Sequence, residues 1–138
     1  MPARDKYHDE VKNALIKDGW TITHDPYVIN YEEITVYGDL GAERLVAAER
    51  SNRKIVVEIK SFIKRSPIQD LKETLGQYDL YAGYLEVTDP ERQIYIAIRL
   101  DTYETVFRQK AVQFIVQRYD LPLVIVDIKK EEIVTWTK

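Results

Sequence analysis

The spacing of apolar positions changes several times along the chain, and each change marks an element. Over residues 4–18, Tyr7, Val11, Ala14 and Leu15 fall on one helical stripe, and Gly19 follows where a C-terminal cap belongs. Trp20–His24 alternates as a short strand and stops at Asp25-Pro26. Tyr27–Tyr31 has no decisive period, and Ile34–Tyr37 reads as a strand running into Gly38-Asp39-Leu40-Gly41. Glu43–Glu49 and Lys54–Phe62 form a hairpin about the turn Arg50-Ser51-Asn52-Arg53. The β-branched run Ile55-Val56-Val57 suits a central strand.

Ser66-Pro67 then opens a long helix, with Ser66 as cap and Pro67 in the first turn. Its apolar stripe is Ile68, Leu71, Leu75, Tyr78, Ala82 and Leu85, and Asp89-Pro90 ends it. Gln93–Leu100 is a strand, and Asp101–Tyr119 is one broken helix or two short ones. Leu123–Ile128 is a strand whose partner is Glu132–Thr137 across Lys129-Lys130-Glu131. This order predicts an α/β fold in which helices flank a sheet of mixed strand direction. With no repeat or linker, residues 1–138 read as one domain.

Composition narrows the chemistry. The chain has no cysteine, which removes disulfides, thiolate nucleophiles and cysteine-based zinc sites. No apolar run is long enough for a transmembrane helix, and Met1–Glu10 has no apolar signal core, so a cytoplasmic location is expected. Ten tyrosines against three phenylalanines call for half-buried positions where a hydroxyl finds a partner. A formal net charge of −3 lacks the basic excess of a dedicated DNA binder. Locally, Arg50, Arg53, Lys54, Lys60, Lys64 and Arg65 gather about the hairpin as a candidate phosphate-facing patch. No phosphate loop, activated serine or DNA-reading helix is present, and His8 and His24 lack metal-type spacing.

The hairpin carries the chemistry. Placing Arg50 opposite Arg53 puts Leu45 opposite Glu58 and Glu43 opposite Lys60. Glu43, Glu58 and Lys60 then share one sheet face, and Asp39 lies just upstream. Hard carboxylate oxygens suit Mg²⁺ or Mn²⁺, which activates water and stabilises charge on a phosphodiester. The nearby lysine would orient the water or neutralise that charge. The plain alternative is an edge strand whose solvated face holds a Glu43–Lys60 ion pair. Against it, Ile55–Ile59 with Phe62 reads as a covered strand, where an unsupported charge is costly.

Asp39…Glu58-Ile59-Lys60 followed by a helix resembles the PD-(D/E)XK superfamily, the fold of restriction enzymes and Holliday-junction resolvases. Some of its branches carry glutamine and, four residues on, tyrosine on that helix, matched here by Gln77 and Tyr81. The resemblance implies a restriction-endonuclease-like mixed sheet, with Asp39, Glu43, Glu58, Lys60 and Gln77 as catalytic candidates. Asp39, Glu43 and Glu58 are the implied metal ligands, with Glu10 of the first helix as a further one. Whether Asp39 or Glu43 is the first acid stays open.

A more specific likeness spans nearly the whole chain. Asp39-Leu40-Gly41-Ala42-Glu43, Ala47-Ala48-Glu49, Val57-Glu58-Ile59-Lys60-Ser61-Phe62 and Leu75-Gly76-Gln77-Tyr78 resemble the XisH family. So do Ala3-Arg4-Asp5 with His8, and Lys12-Asn13-Ala14-Leu15 through Asp18-Gly19-Trp20. That family is named for controlling excision of the fdxN DNA element in nitrogen-fixing cyanobacteria, alongside a recombinase and a companion, XisI. The resemblance implies an accessory of DNA excision acting on DNA, with an XisI-like companion and, indirectly, a site-specific recombinase. Two roles follow from it: a Mg²⁺- or Mn²⁺-dependent endonuclease-like subunit, or a non-catalytic interaction protein. Homo-oligomerisation is left open.

Overall fold

The computed structural model describes residues 6–36, 45–62 and 66–137. The elements are α1 (His8–Lys17), β1 (Thr21–His24), β2 (Ile29–Tyr31), β3 (Ile34–Val36), β4 (Leu45–Arg50) and β5 (Arg53–Ile59), then α2 (Pro67–Thr88) and β6 (Arg92–Arg99). They continue with α3 (Leu100–Thr105), a 3₁₀ turn at Val106–Arg108, α4 (Lys110–Tyr119), β7 (Leu123–Asp127) and β8 (Glu132–Trp136). Tyr27–Tyr31, undecided from pattern alone, supplies β2, which pairs with β3 as a separate hairpin.

Six strands form one sheet in the order β1-β4-β5-β6-β7-β8. The β4–β5 pair is antiparallel with Arg50 opposite Arg53 and Leu45 opposite Glu58, the register expected from the turn. Ser51 and Asn52 both have positive φ, as a tight hairpin turn requires. α2 is the crossover that makes β5 and β6 parallel, and β6 and β7 are parallel in turn. The outer ladders are both irregular, with a shift in β1–β4 between Ile22 and His24 and another in β7–β8 between Ile125 and Val126.

Alternation along the strands divides the core into two layers. Ile55, Val57, Ile59, Tyr95 and Ala97 pack against Val11, Ala14 and Leu15 of α1. Leu45, Ala47, Val56, Ile94, Ile96 and Ile98 face Leu71, Tyr81 and Leu85 of α2 and, further on, Phe107 and Val112. Each fully buried aliphatic side chain of this kind contributes about 1.5–3 kcal/mol. Trp136 belongs to the first layer, tilted against Trp20 and edge-on to Tyr95 with centroids 5.6 and 4.9 Å away.

Two expectations need correction. β5 ends at Ile59 rather than Phe62, because Phe62 has φ +54° and leaves the extended region. Ile68 is exposed, and the buried side of α2 runs instead through Asp70, Leu71, Thr74, Tyr81 and Leu85. The Ser66 cap stands: its hydroxyl accepts from the Gln69 amide at 3.2 Å, with Pro67 opening the helix.

Candidate functional site

β5 is an interior strand, bonded on both sides. Glu58 and Lys60 are two apart on the same side of it, so both turn toward α2. Glu58 is 0% exposed and Lys60 4%. The Lys60 amide donates to the Ala97 carbonyl at 3.1 Å, carrying the parallel ladder one step beyond β5. Glu58 and Lys60 are therefore not on the solvated face of an edge strand.

Gln77 completes the arrangement from above. The Lys60 ammonium donates to Gln77 Oε1 at 3.0 Å. Asp70, Thr74, Gln77 and Tyr81 follow one another at helical spacing, so α2 carries a polar seam beside its apolar stripe. Asp70, Thr74 and Tyr81 are buried, and the Thr74 hydroxyl donates to the Asp70 carbonyl at 2.8 Å. Asp70 also lies in the first turn, where the helix dipole favours a carboxylate.

The site sits at the carboxyl ends of two parallel strands, the usual place for chemistry in such sheets. On the opposite sheet face, Arg99 closes the same edge. Its Nη2 donates to the Ser61 carbonyl at 2.9 Å, its Nη1 to Tyr7 Oη at 3.3 Å, and its guanidinium lies 4.7 Å from the Tyr7 ring centroid. Composition and spacing gave no sign of Arg99 or Asp70. The polar seam was visible in principle, as polar residues recurring at helical period beside the apolar stripe.

Asp39 and Glu43, the other two candidate acids, lie outside the described residues, as do Lys64 and Arg65. Glu10 is half-buried on α1, the helix covering the opposite face of the sheet from Glu58. Among the described residues no group of three histidine, cysteine, aspartate or glutamate side chains is arranged to hold a metal ion. Glu58 carries the hard carboxylate oxygens that Mg²⁺ or Mn²⁺ takes, so its chemistry fits such an ion.

The basic cluster does not form one patch. Arg50, Arg53 and Lys54 lie at the hairpin tip, and Lys60 lies under α2 at the far end of β5, roughly 20 Å away at about 3.3 Å per residue. The tip cations are engaged. Arg50 donates to the Asp18 carbonyl and stacks on Trp20, Arg53 donates to Tyr95 Oη at 3.1 Å, and Lys54 pairs with Glu91 at 3.2 Å. His8, on α1, is bound through Nε2 to Asp25 Oδ2 at 3.0 Å, which Lys12 also contacts at 2.7 Å. No helix among the described residues is long and apolar enough to cross a membrane.

Two solved structures are similar to this chain over nearly its full length. An XisH family protein from Nostoc punctiforme PCC 73102 is 38% identical with a TM-score of 0.87, the match covering 96% of this chain and 98% of that one. An fdxN element excision controlling factor protein from Anabaena variabilis is 38% identical with a TM-score of 0.88, covering 98% and 100%. No curated protein matches the sequence. The family model described as XisH protein matches residues 1–134. The chain belongs to the XisH family.

Proposed function

We propose that this protein controls the excision of a DNA element, using a nuclease-like site built on Glu58 and Lys60. The observation that carries the reading is the burial of that carboxylate and ammonium on one face of an interior strand, with Gln77 fixing the lysine. Keeping ionisable groups under a helix costs stability, and such groups are retained where they have a task. The name of the Anabaena variabilis neighbour supports the biological role. In this reading Glu58 holds Mg²⁺ or Mn²⁺ together with Asp39 and Glu43 from the preceding segment. The bound ion would supply an activated water and charge stabilisation at a phosphodiester. Lys60, held by Gln77, neutralises negative charge on the DNA, and an XisI-like companion and a recombinase act with the protein.

The test is incubation with Mg²⁺ or Mn²⁺ and supercoiled, linear and branched DNA, with and without the companion. The reading expects cleavage that Glu58→Gln abolishes while the thermal midpoint shows an intact fold. If the wild-type protein cuts nothing that Glu58→Gln spares, catalysis is refuted. A non-catalytic platform is the second reading, favoured by the net charge of −3 and by the engaged cations at the hairpin tip. It expects a Glu58→Gln/Lys60→Met variant to support excision in cells.

A further inference from the structure

α2 has an outer face as well as an inner one, and the outer face is unusual. Gly76, Leu80, Gly83 and Val87 recur there at helical spacing. Leu80 is 52% exposed and Val87 60%. Glycine inside a helix is unfavourable relative to alanine and needs a reason. The fold supplies none, because a Cβ built on Gly76 or on Gly83 meets nothing within 4 Å. The β2–β3 hairpin extends the apolar strip beside the helix. The Tyr31 ring lies tilted against Tyr84 with centroids 5.8 Å apart, and Ile34 pairs with Tyr31 across the strands.

The charge around this strip is mostly acidic, with exposed Lys72, one turn before Gly76, as the exception on α2. Glu32, Glu33, Asp79 and Glu86 are exposed about it, and neither residues 27–36 nor residues 73–91 contain a lysine or arginine. Such a rim repels the phosphates of DNA, and it repels the same rim on a second copy. An apolar stripe with bare backbone at two turns admits a closely packed helix, and acidic borders select basic flanks on it.

We propose that the outer face of α2, with the β2–β3 hairpin, docks a helix of a partner protein that carries an apolar stripe bordered by lysine or arginine. The inference is independent of the Glu58 reading, since the surface lies on the other side of α2 from that site.

The test uses the full chain and two helical peptides with the same leucine stripe, one flanked by lysines and the other by glutamates. Fluorescence anisotropy should show binding of the lysine peptide only, weakening as salt rises. Hydrogen exchange should slow in α2 and β2–β3. Gly83→Leu, which fills open space without disturbing the fold, should weaken binding roughly tenfold or more, as should Leu80→Ser. Gly83→Ala should weaken binding while raising the thermal midpoint, a combination that a purely structural role would not produce. No binding of the lysine peptide, equal binding of both peptides, or indifference to Gly83→Leu overturns the proposal. So does self-association, or duplex DNA binding, that Leu80→Ser abolishes.

Discussion

A lysine closed under a helix gives up its water and needs hydrogen bonds in exchange, and here Gln77 provides one from the turn above. Gln77→Leu should therefore destabilise the fold by about 1.5–3 kcal/mol, the usual scale for a hydrogen bond to a charged group. Urea unfolding with an unchanged slope would read it. Asp25 offers a second test. Burial alone raises its carboxyl, but hydrogen bonds and charge from Lys12 and His8 outweigh this and hold it below the ordinary value. A carboxyl depressed in the folded state stabilises above its unfolded value of about 3.9, and that stabilisation is lost as pH falls through the folded value. Asp25→Asn should flatten the acid end of the stability profile, seen in urea midpoints measured from neutral pH down to pH values below that point. At this scale strand parity, a local rule, placed Glu58 and Lys60 on one face of β5, whereas Gln77 entered only through the family resemblance. The sequence did not expose Arg92, which is 6% exposed, bonds Asp89 Oδ2 at 2.9 Å and donates to the Ile55 carbonyl at 3.3 Å. The Ile55 contact depends on where the crossover brings β6, and no local period encodes that.

Among the elements, α2 shows most directly how local signals compete. Its start follows from capping chemistry, and Ser66→Ala should cost about 1 kcal/mol in thermal or urea unfolding. Its interior runs against propensity at two glycines, so Gly83→Ala should stabilise the isolated protein by about 0.5–1 kcal/mol. The hairpin turn is the reverse case, where unusual backbone is required. Asn52 has φ +68°, and Asn52→Val should cost about 1–2 kcal/mol, because a β-branched side chain tolerates that region poorly. The apolar period of α2 places Ile68 on its buried stripe, yet Ile68 is exposed and the charged Asp70 is buried. An apolar stripe predicts a buried face only where the layer beneath is apolar. Beneath this helix lies a strand carrying Glu58 and Lys60, which draws polar residues inward.

Taken as a whole, the molecule reads from its sequence as a mixed sheet between helices, because the switch from period two to helical period recurs along the chain. Strand order does not read in this way: the separate β2–β3 hairpin interrupts the run from β1 to β4. Long-range electrostatics also belong to this scale. The three tip cations are engaged and the net charge is −3, so the isolated protein should bind duplex DNA weakly, with an affinity that falls steeply between low and physiological salt.

The two irregular outer ladders bear on a different matter. A sheet grows by adding strands to a straight, regularly spaced edge, and a bulge twists that edge away from the geometry a newcomer needs. Here the margin at β1 and the margin at β8 are each broken in this way. This geometry disfavours edge-to-edge stacking into fibrils, so the protein should stay free of them at high concentration. A single-residue repair that straightened either margin should trade this colloidal safety for aggregation, visible as rising light scattering with no loss of folded structure.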